Sequence, residues 1–174
     1  MNFQPDPKVA EALARLAEVR YDGLAWKHTL PGQAVTAANR KGARWNPANV
    51  PAIYLALERD TALAEGRYLA GLQPQPIRGT RHLHEVTLTL ERVLDLRDKA
   101  TLQALGVSDS DLRSSDHTSC RLVGGTAEWL GIDAIIVPSA RTDGANLVVF
   151  ERRTALDFEV RVLRTEPVDA DGET

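Results

Sequence analysis

The stretch Gly42-Ala43-Arg44-Trp45-Asn46-Pro47 places an arginine beside a tryptophan just ahead of a short apolar run. A guanidinium offers a planar fork of donors that fits phosphate oxygens. A loop arginine lying on an indole face has the same sequence signature, so both readings stand at this point. Glu65 follows about one turn into a helical pattern, among Ala62, Leu63, Ala64 and Gly66. A carboxylate there faces solvent or points into a cavity shaped by its small neighbours. Ile135-Ile136-Val137-Pro138-Ser139-Ala140 is an apolar run ending in a polar turn. Ser139 could donate to a ligand at the strand end or simply close the turn.

Other familiar chemistries find little support. No Gly-x-Gly-x-x-Gly is present, so a Rossmann mode of dinucleotide binding is not expected. The four histidines, His28, His82, His84 and His117, are dispersed. His82 and His84 fall on one face of a strand, but no third ligand stands at a clear spacing, and no metal is expected. Asp109, Asp111 and Asp116 lack the loop spacing and closing glutamate of a calcium site. A single cysteine, Cys120, excludes an internal disulfide and a cysteine-rich metal site.

These residues need elements to hold them. Helical spacing of Val9, Leu13, Leu16 and Ala17 predicts a helix from Pro5 to Arg20, entered at Pro5 and Pro7 and left at Asp22-Gly23. Strands are predicted at Gly23–Thr29, Ala52–Leu57, His82–Leu90 with a continuation at Val93–Leu96, Ala134–Val137, Asn146–Phe150 and Leu156–Leu163. Leu30–Lys41 and Gln73–Pro76 read as loops. Helices are expected at Arg59–Gly71 and Lys99–Leu105, with a weaker one at Arg121–Leu130 loosened by Gly124-Gly125, and Ser108–Asp111 forms an acidic turn or cap. Strands and helices mix without regular βαβ alternation, so the class is α+β in one domain.

With 174 residues, 43% of them hydrophobic, the chain can bury a full core. Its formal charge of −3 gives no general basic field, so direct nucleic-acid binding is not expected. The opening Met1-Asn2-Phe3-Gln4-Pro5-Asp6 is unlike a secretory signal, and no apolar run is long enough to span a bilayer. A cytoplasmic address without membrane contact is the expectation. From Glu166 onward the chain is acidic and poor in apolar residues, which predicts a frayed tail.

Taken in order, Arg44-Trp45-Asn46-Pro47, Tyr54, Glu65, Val137-Pro138-Ser139 and Asn146-Leu147 resemble the RES family, named for an arginine, a glutamate and a serine. Leu94-Asp95-Leu96, Gly131 and Gly144 extend the resemblance, which runs from about Trp26 to Phe150. Where the family often carries an aromatic–arginine pair, this chain has Trp26-Lys27.

The resemblance implies a mixed sheet with flanking helices similar to ADP-ribosyltransferase domains. With the element pattern it divides the chain into an N-terminal helical segment at 1–22, outside the resemblance, a RES domain at 23–165 and a tail at 166–174 expected to be disordered. It implies NAD+ as a substrate, cleaved at the nicotinamide–ribose bond without a metal. Glu65 would stabilise charge on the ribose. Arg44 and Lys27 would contact phosphate, while Tyr54 and Ser139 would meet the nicotinamide riboside end. Asn146 completes the implied binding set. The ADP-ribose acceptor is left open among water, phosphate and a protein. The implied setting is a bacterial toxin neutralised by an Xre-type helix-turn-helix antitoxin that covers the active site. The alternative is a non-catalytic binding module on the same fold.

Overall fold

The computed structural model describes residues 3–151 and 160–168. Six strands are present among them: β1 Glu18–Thr29, β2 Ala52–Ala56, β3 Arg81–Asp95, β4 Ala134–Pro138, β5 Ala145–Phe150 and β6 Arg161–Val168. They alternate with helices α1 Pro7–Ala14, α2 Arg59–Gly71, α3 Lys99–Ala104, α4 Asp109–Arg113 and α5 Thr118–Trp129. The sheet order is β1-β2-β5-β4-β3-β6, and β1 also pairs with β3. That extra pairing joins five strands into a barrel-like ring, with β6 carried on the outer part of β3. All neighbours are antiparallel except β3 and β4. Mixed α+β architecture is therefore as expected.

Side-chain alternation along the strands divides the core in two. One face gathers Ala25, Ile53, Leu55, Val86, Leu88, Val93, Ala134, Ile136, Leu147 and Val149 inside the ring. The other sends Ala52, Ile135, Val137, Val148 and Phe150 outward, against α1, α5 and the buried Trp45. Asn146 lies between Leu147 and Ala145, so it also points outward, opposite Ala56 on one side and Val137 on the other. No helix among the described residues is long and apolar enough to cross a membrane.

Several boundaries differ from the sequence expectation. The first helix is confined to Pro7–Ala14, where Asp6 caps Lys8 and Val9 and Pro7 takes the first position. Arg15 to Ala17 leave the helix, and β1 begins at Glu18. Asp22-Gly23 is thus inside a strand rather than at a helix exit, and β1 crosses the expected boundary at residue 22. The reason is long-range pairing: β1 runs against β3 from Glu18↔Leu94 to Thr29↔His82, with a bulge between Val19 and Tyr21. Such a ladder outweighs a weak local helical preference. At the other end β6 continues through Val168, whose side chain is buried, so Glu166 to Val168 are ladder residues rather than frayed tail. Residues 156–159 of the expected Leu156–Leu163 strand lie outside the described residues. The acidic turn at Ser108 proves to be a cap: the Ser108 and Asp111 side chains bond each other's backbone N–H at the start of α4.

The expectation for α5 needs a physical correction. Gly124 and Gly125 do not loosen this helix; both are buried in it. A Cβ on Gly124 would overlap the carbonyl oxygen of Trp45, and one on Gly125 would meet the ring of Phe3. The bare backbone lets α5 press against the loop that carries Arg44. Gly66 serves α2 in the same way, because a Cβ there would overlap the buried ring of His28 on β1.

Candidate active site

Glu65 is the centre of a polar cluster built from three separate segments. Its Oε1 accepts from the Ser139 hydroxyl at 2.8 Å and from the Asn146 side-chain amide at 2.9 Å. Both bonds fall on one oxygen. Among the described residues Oε2 accepts no hydrogen bond, which leaves one carboxylate oxygen open for a ligand. Glu65 is half-buried and its carboxylate is partnered, so it is not a plain solvent-facing residue.

The start of α2 is fastened to the same turn that carries Ser139. Glu58 Oε2 accepts from the backbone N–H of Ala145 at 2.9 Å and from the Thr61 hydroxyl at 3.0 Å. Thr61 in turn meets the hydroxyl of Thr142 at 2.8 Å. Ser139 also accepts from the Arg141 N–H at 3.1 Å, so its hydroxyl both closes the turn and serves Glu65. The turn-closing reading of Ser139 is realised, and its hydroxyl also donates to Glu65.

Arg44 belongs to a second cluster. Trp45 is 1% exposed and lies in the core, and Arg44 does not stack on it. Instead Nη1 donates to the carbonyls of Asp111 at 3.1 Å and Ser114 at 3.3 Å, tying the loop to α4. Arg121 on α5 donates Nε to the Ala43 carbonyl at 2.8 Å from below. The Arg44 guanidinium also lies against the buried Cys120 thiol of α5.

Tyr54 is brought to this loop rather than to Glu65. Its hydroxyl accepts the Trp45 N–H at 3.0 Å and donates to Asn46 Oδ1 at 2.8 Å. Asn46, itself 0% exposed, donates to the carbonyls of Asn39 and Val50. Burial raises the Tyr54 phenol far above its ordinary pKa, so it stays protonated. Its committed hydroxyl makes Tyr54 a strut for the Arg44 loop. Asn46 was visible only as part of a motif; no spacing rule distinguishes it as the partner of Tyr54.

Lys27 is 8% exposed and faces the ring interior beside His84, with Nζ donating to the Tyr54 carbonyl at 2.8 Å. His84 is engaged on both ring nitrogens, by the hydroxyls of Thr29 at 2.9 Å and Thr165 at 2.8 Å. Burial pushes the Lys27 ammonium down to about 8. Between pH 8 and the unfolded value near 10.5 the unfolded chain therefore binds the extra proton, and this residue's contribution to stability rises with pH. Lys27→Met is expected to stabilise the protein relative to wild type more at pH 7 than at pH 10. Paired urea titrations at the two pH values check this; a pH-independent difference would contradict it.

A cavity of roughly 340 Å³ is lined by Asp109, Leu112 and Arg113 of α4 and by the turn from Ser139 to Asp143; Ser139 is its one link to the Glu65 cluster, and neither Glu65 nor Arg44 lines it. The wall on one side is thus the helix that Arg44 grips, and the wall on the other is the turn that holds Glu65. Arg113 and Arg141 were not singled out in the sequence, where each looks like an ordinary surface arginine. Among the described residues no three histidine, cysteine, aspartate or glutamate side chains gather as a metal site.

Comparison with known proteins identifies the family. The RES domain model matches residues 12–171, a longer span than the Trp26–Phe150 segment that carries the resemblance in sequence. The NAD(+) phosphorylase MbcT of Mycobacterium tuberculosis is 31% identical over 140 residues, covering 78% of this chain and 73% of that protein. The probable NAD(+) phosphorylase Rv3189 of the same organism is 30% identical over 149 residues, covering 82% and 71%. In the crystal structure of the M. tuberculosis MbcT-MbcA toxin-antitoxin complex, one chain superposes with a TM-score of 0.77 at 23% identity, covering 94% of this chain and 93% of its own. With a family model spanning most of its length, this chain is a member of the RES domain family.

Proposed function

We propose that this protein is a toxin enzyme that binds NAD+ and breaks its nicotinamide–ribose bond, with inorganic phosphate as the acceptor of ADP-ribose. The observation that carries the reading is Glu65, whose carboxylate is held on one oxygen by Ser139 and Asn146 while the other accepts no hydrogen bond among the described residues; Ser139 in turn lines a cavity. Loss of nicotinamide builds positive charge on the ribose, and a fixed carboxylate in a partly water-excluded site stabilises that charge. Nicotinamide leaves neutral, taking the bonding pair onto its ring nitrogen, so departure needs no acid. Arg44 is assigned to the pyrophosphate, with Nη1 anchored to α4. Tyr54 and Asn46 fix the loop behind it, and Lys27, held by the Tyr54 carbonyl, is assigned as a second cation for the phosphates. The choice of phosphate rests on the names borne by relatives about 30% identical to this chain. The fold is proposed to be of the ADP-ribosyltransferase type.

A partner follows from the same kinship. The solved neighbour is a toxin bound to its antitoxin. We assign this chain a cognate antitoxin of the Xre helix-turn-helix type, which covers the cleft and supplies operator recognition that a chain of charge −3 is poorly suited to make. Expression without the partner is expected to arrest growth and deplete cellular NAD+, while co-expression of the antitoxin restores both. Arrest without any fall in NAD+ would contradict the proposal.

A further inference from the structure

The cavity wall contains an arginine with no assigned role. Arg141 is exposed, and among the described residues it pairs with no carboxylate. Its guanidinium carbon nevertheless sits 3.4 Å from the centroid of the Tyr68 ring on α2. Its backbone N–H donates to the Ser139 hydroxyl, the same hydroxyl that donates to Glu65. Tyr68 is three residues beyond Glu65 on the same helix, which puts the two on one face, on the order of 5–6 Å apart at Cβ. The guanidinium is therefore held over an aromatic ring whose residue stands one helical turn from Glu65. A stacked guanidinium keeps its edge N–H groups free, and that fork matches a phosphate dianion.

From this juxtaposition we propose that Arg141, oriented by Tyr68, binds the inorganic phosphate that attacks the ribose. The inference rests on the NAD+-cleaving reading and adds the acceptor site to it. In the step, a phosphate oxygen lone pair forms the bond to ribose C1′ as the C1′–nitrogen bond breaks and its electron pair passes to nicotinamide. Hydrogen phosphate dianion needs no proton removed before attack. Water in the same place would have to lose a proton, so holding phosphate beside C1′ directs the reaction away from hydrolysis. Arg113 lines the same cavity from α4 and adds to its positive charge. Two carboxylates also line it: Asp109 is engaged by Lys99, whereas Asp143 opposes an anion directly.

The test is a phosphate titration of the full-length enzyme at saturating NAD+, reading nicotinamide release and the ratio of phosphorylated to free ADP-ribose. Arg141→Ala is expected to raise the KM for phosphate at least tenfold, leave the KM for NAD+ within twofold, and shift product toward free ADP-ribose. Tyr68→Leu should move the phosphate KM the same way by a smaller factor, and Arg141→Lys should recover part of the loss. Asp143→Asn should lower the phosphate KM. An unchanged phosphate KM in Arg141→Ala would overturn the assignment while leaving NAD+ cleavage intact. So would a rise in NAD+ KM alone, which would move Arg141 to the substrate phosphates, or a wild-type rate independent of phosphate. Wild-type protein that releases no nicotinamide at any phosphate concentration would instead remove the underlying reading, and this one with it.

Discussion

Glu65→Gln is expected to lower kcat for NAD+ cleavage by about 10²–10³-fold, the usual cost of removing a fixed charge-stabilising group from an active site. Glutamine keeps the size of the side chain. Its carbonyl oxygen can still accept from the Ser139 hydroxyl and the Asn146 amide, which donate to Oε1 in the native site. What disappears is the negative charge facing the ribose. The KM for NAD+ should change little, because a charge that matters mainly as the oxocarbenium develops contributes more to the transition state than to substrate binding. Steady-state kinetics together with a thermal melt check both halves. A folded variant with near wild-type turnover would remove Glu65 from the chemistry.

Gly124→Ala should have the second largest effect, at a site with no chemical group of its own. The added methyl would collide with the Trp45 carbonyl, which is backbone and cannot swing aside. Either α5 or the 43–47 loop has to move. Overpacking of this kind costs about 1–3 kcal/mol, or more where backbone is the obstacle. For a chain of this length each kcal/mol lowers Tm by roughly 2–4 °C. Because the displaced loop carries Arg44 and is braced by Arg121 and Tyr54, affinity for NAD+ should fall as well. Differential scanning calorimetry and the NAD+ KM report the two effects. A variant with native Tm and KM would show that this contact does not hold the loop.

Much of the candidate site was legible because its parts are locally odd. An arginine–tryptophan pair before a buried strand, a carboxylate among small helix residues and a serine closing an apolar strand each stand out without any structure. Their relation did not. That Ser139 and Asn146 share one oxygen of Glu65 depends on β4 and β5 pairing side by side and on α2, some 80 residues earlier, being tied to their turn through Glu58. Arg141 was invisible for the same reason, since its setting is made by Tyr68, distant in sequence. The fold was readable where local pattern and pairing agree, as in β2, α2, β4 and β5. It was misread at residues 15–22, where helical spacing of apolar side chains is local and the pairing of β1 with β3 is not. Tyr54 shows a further limit: the resemblance implied a ligand contact for it, and no sequence pattern announced that its hydroxyl bonds Trp45 and Asn46.

The most direct test is to incubate the purified protein with NAD+ and phosphate and to follow nicotinamide release by chromatography, with Glu65→Gln run in parallel. Wild type should release nicotinamide in step with the loss of NAD+ and form ADP-ribose bearing phosphate on its anomeric carbon, while the variant releases it about 10²–10³-fold more slowly. Intact NAD+ after prolonged incubation with folded wild-type protein, or equal release by both proteins, would contradict the assignment of Glu65 and its cavity as a site of NAD+ cleavage.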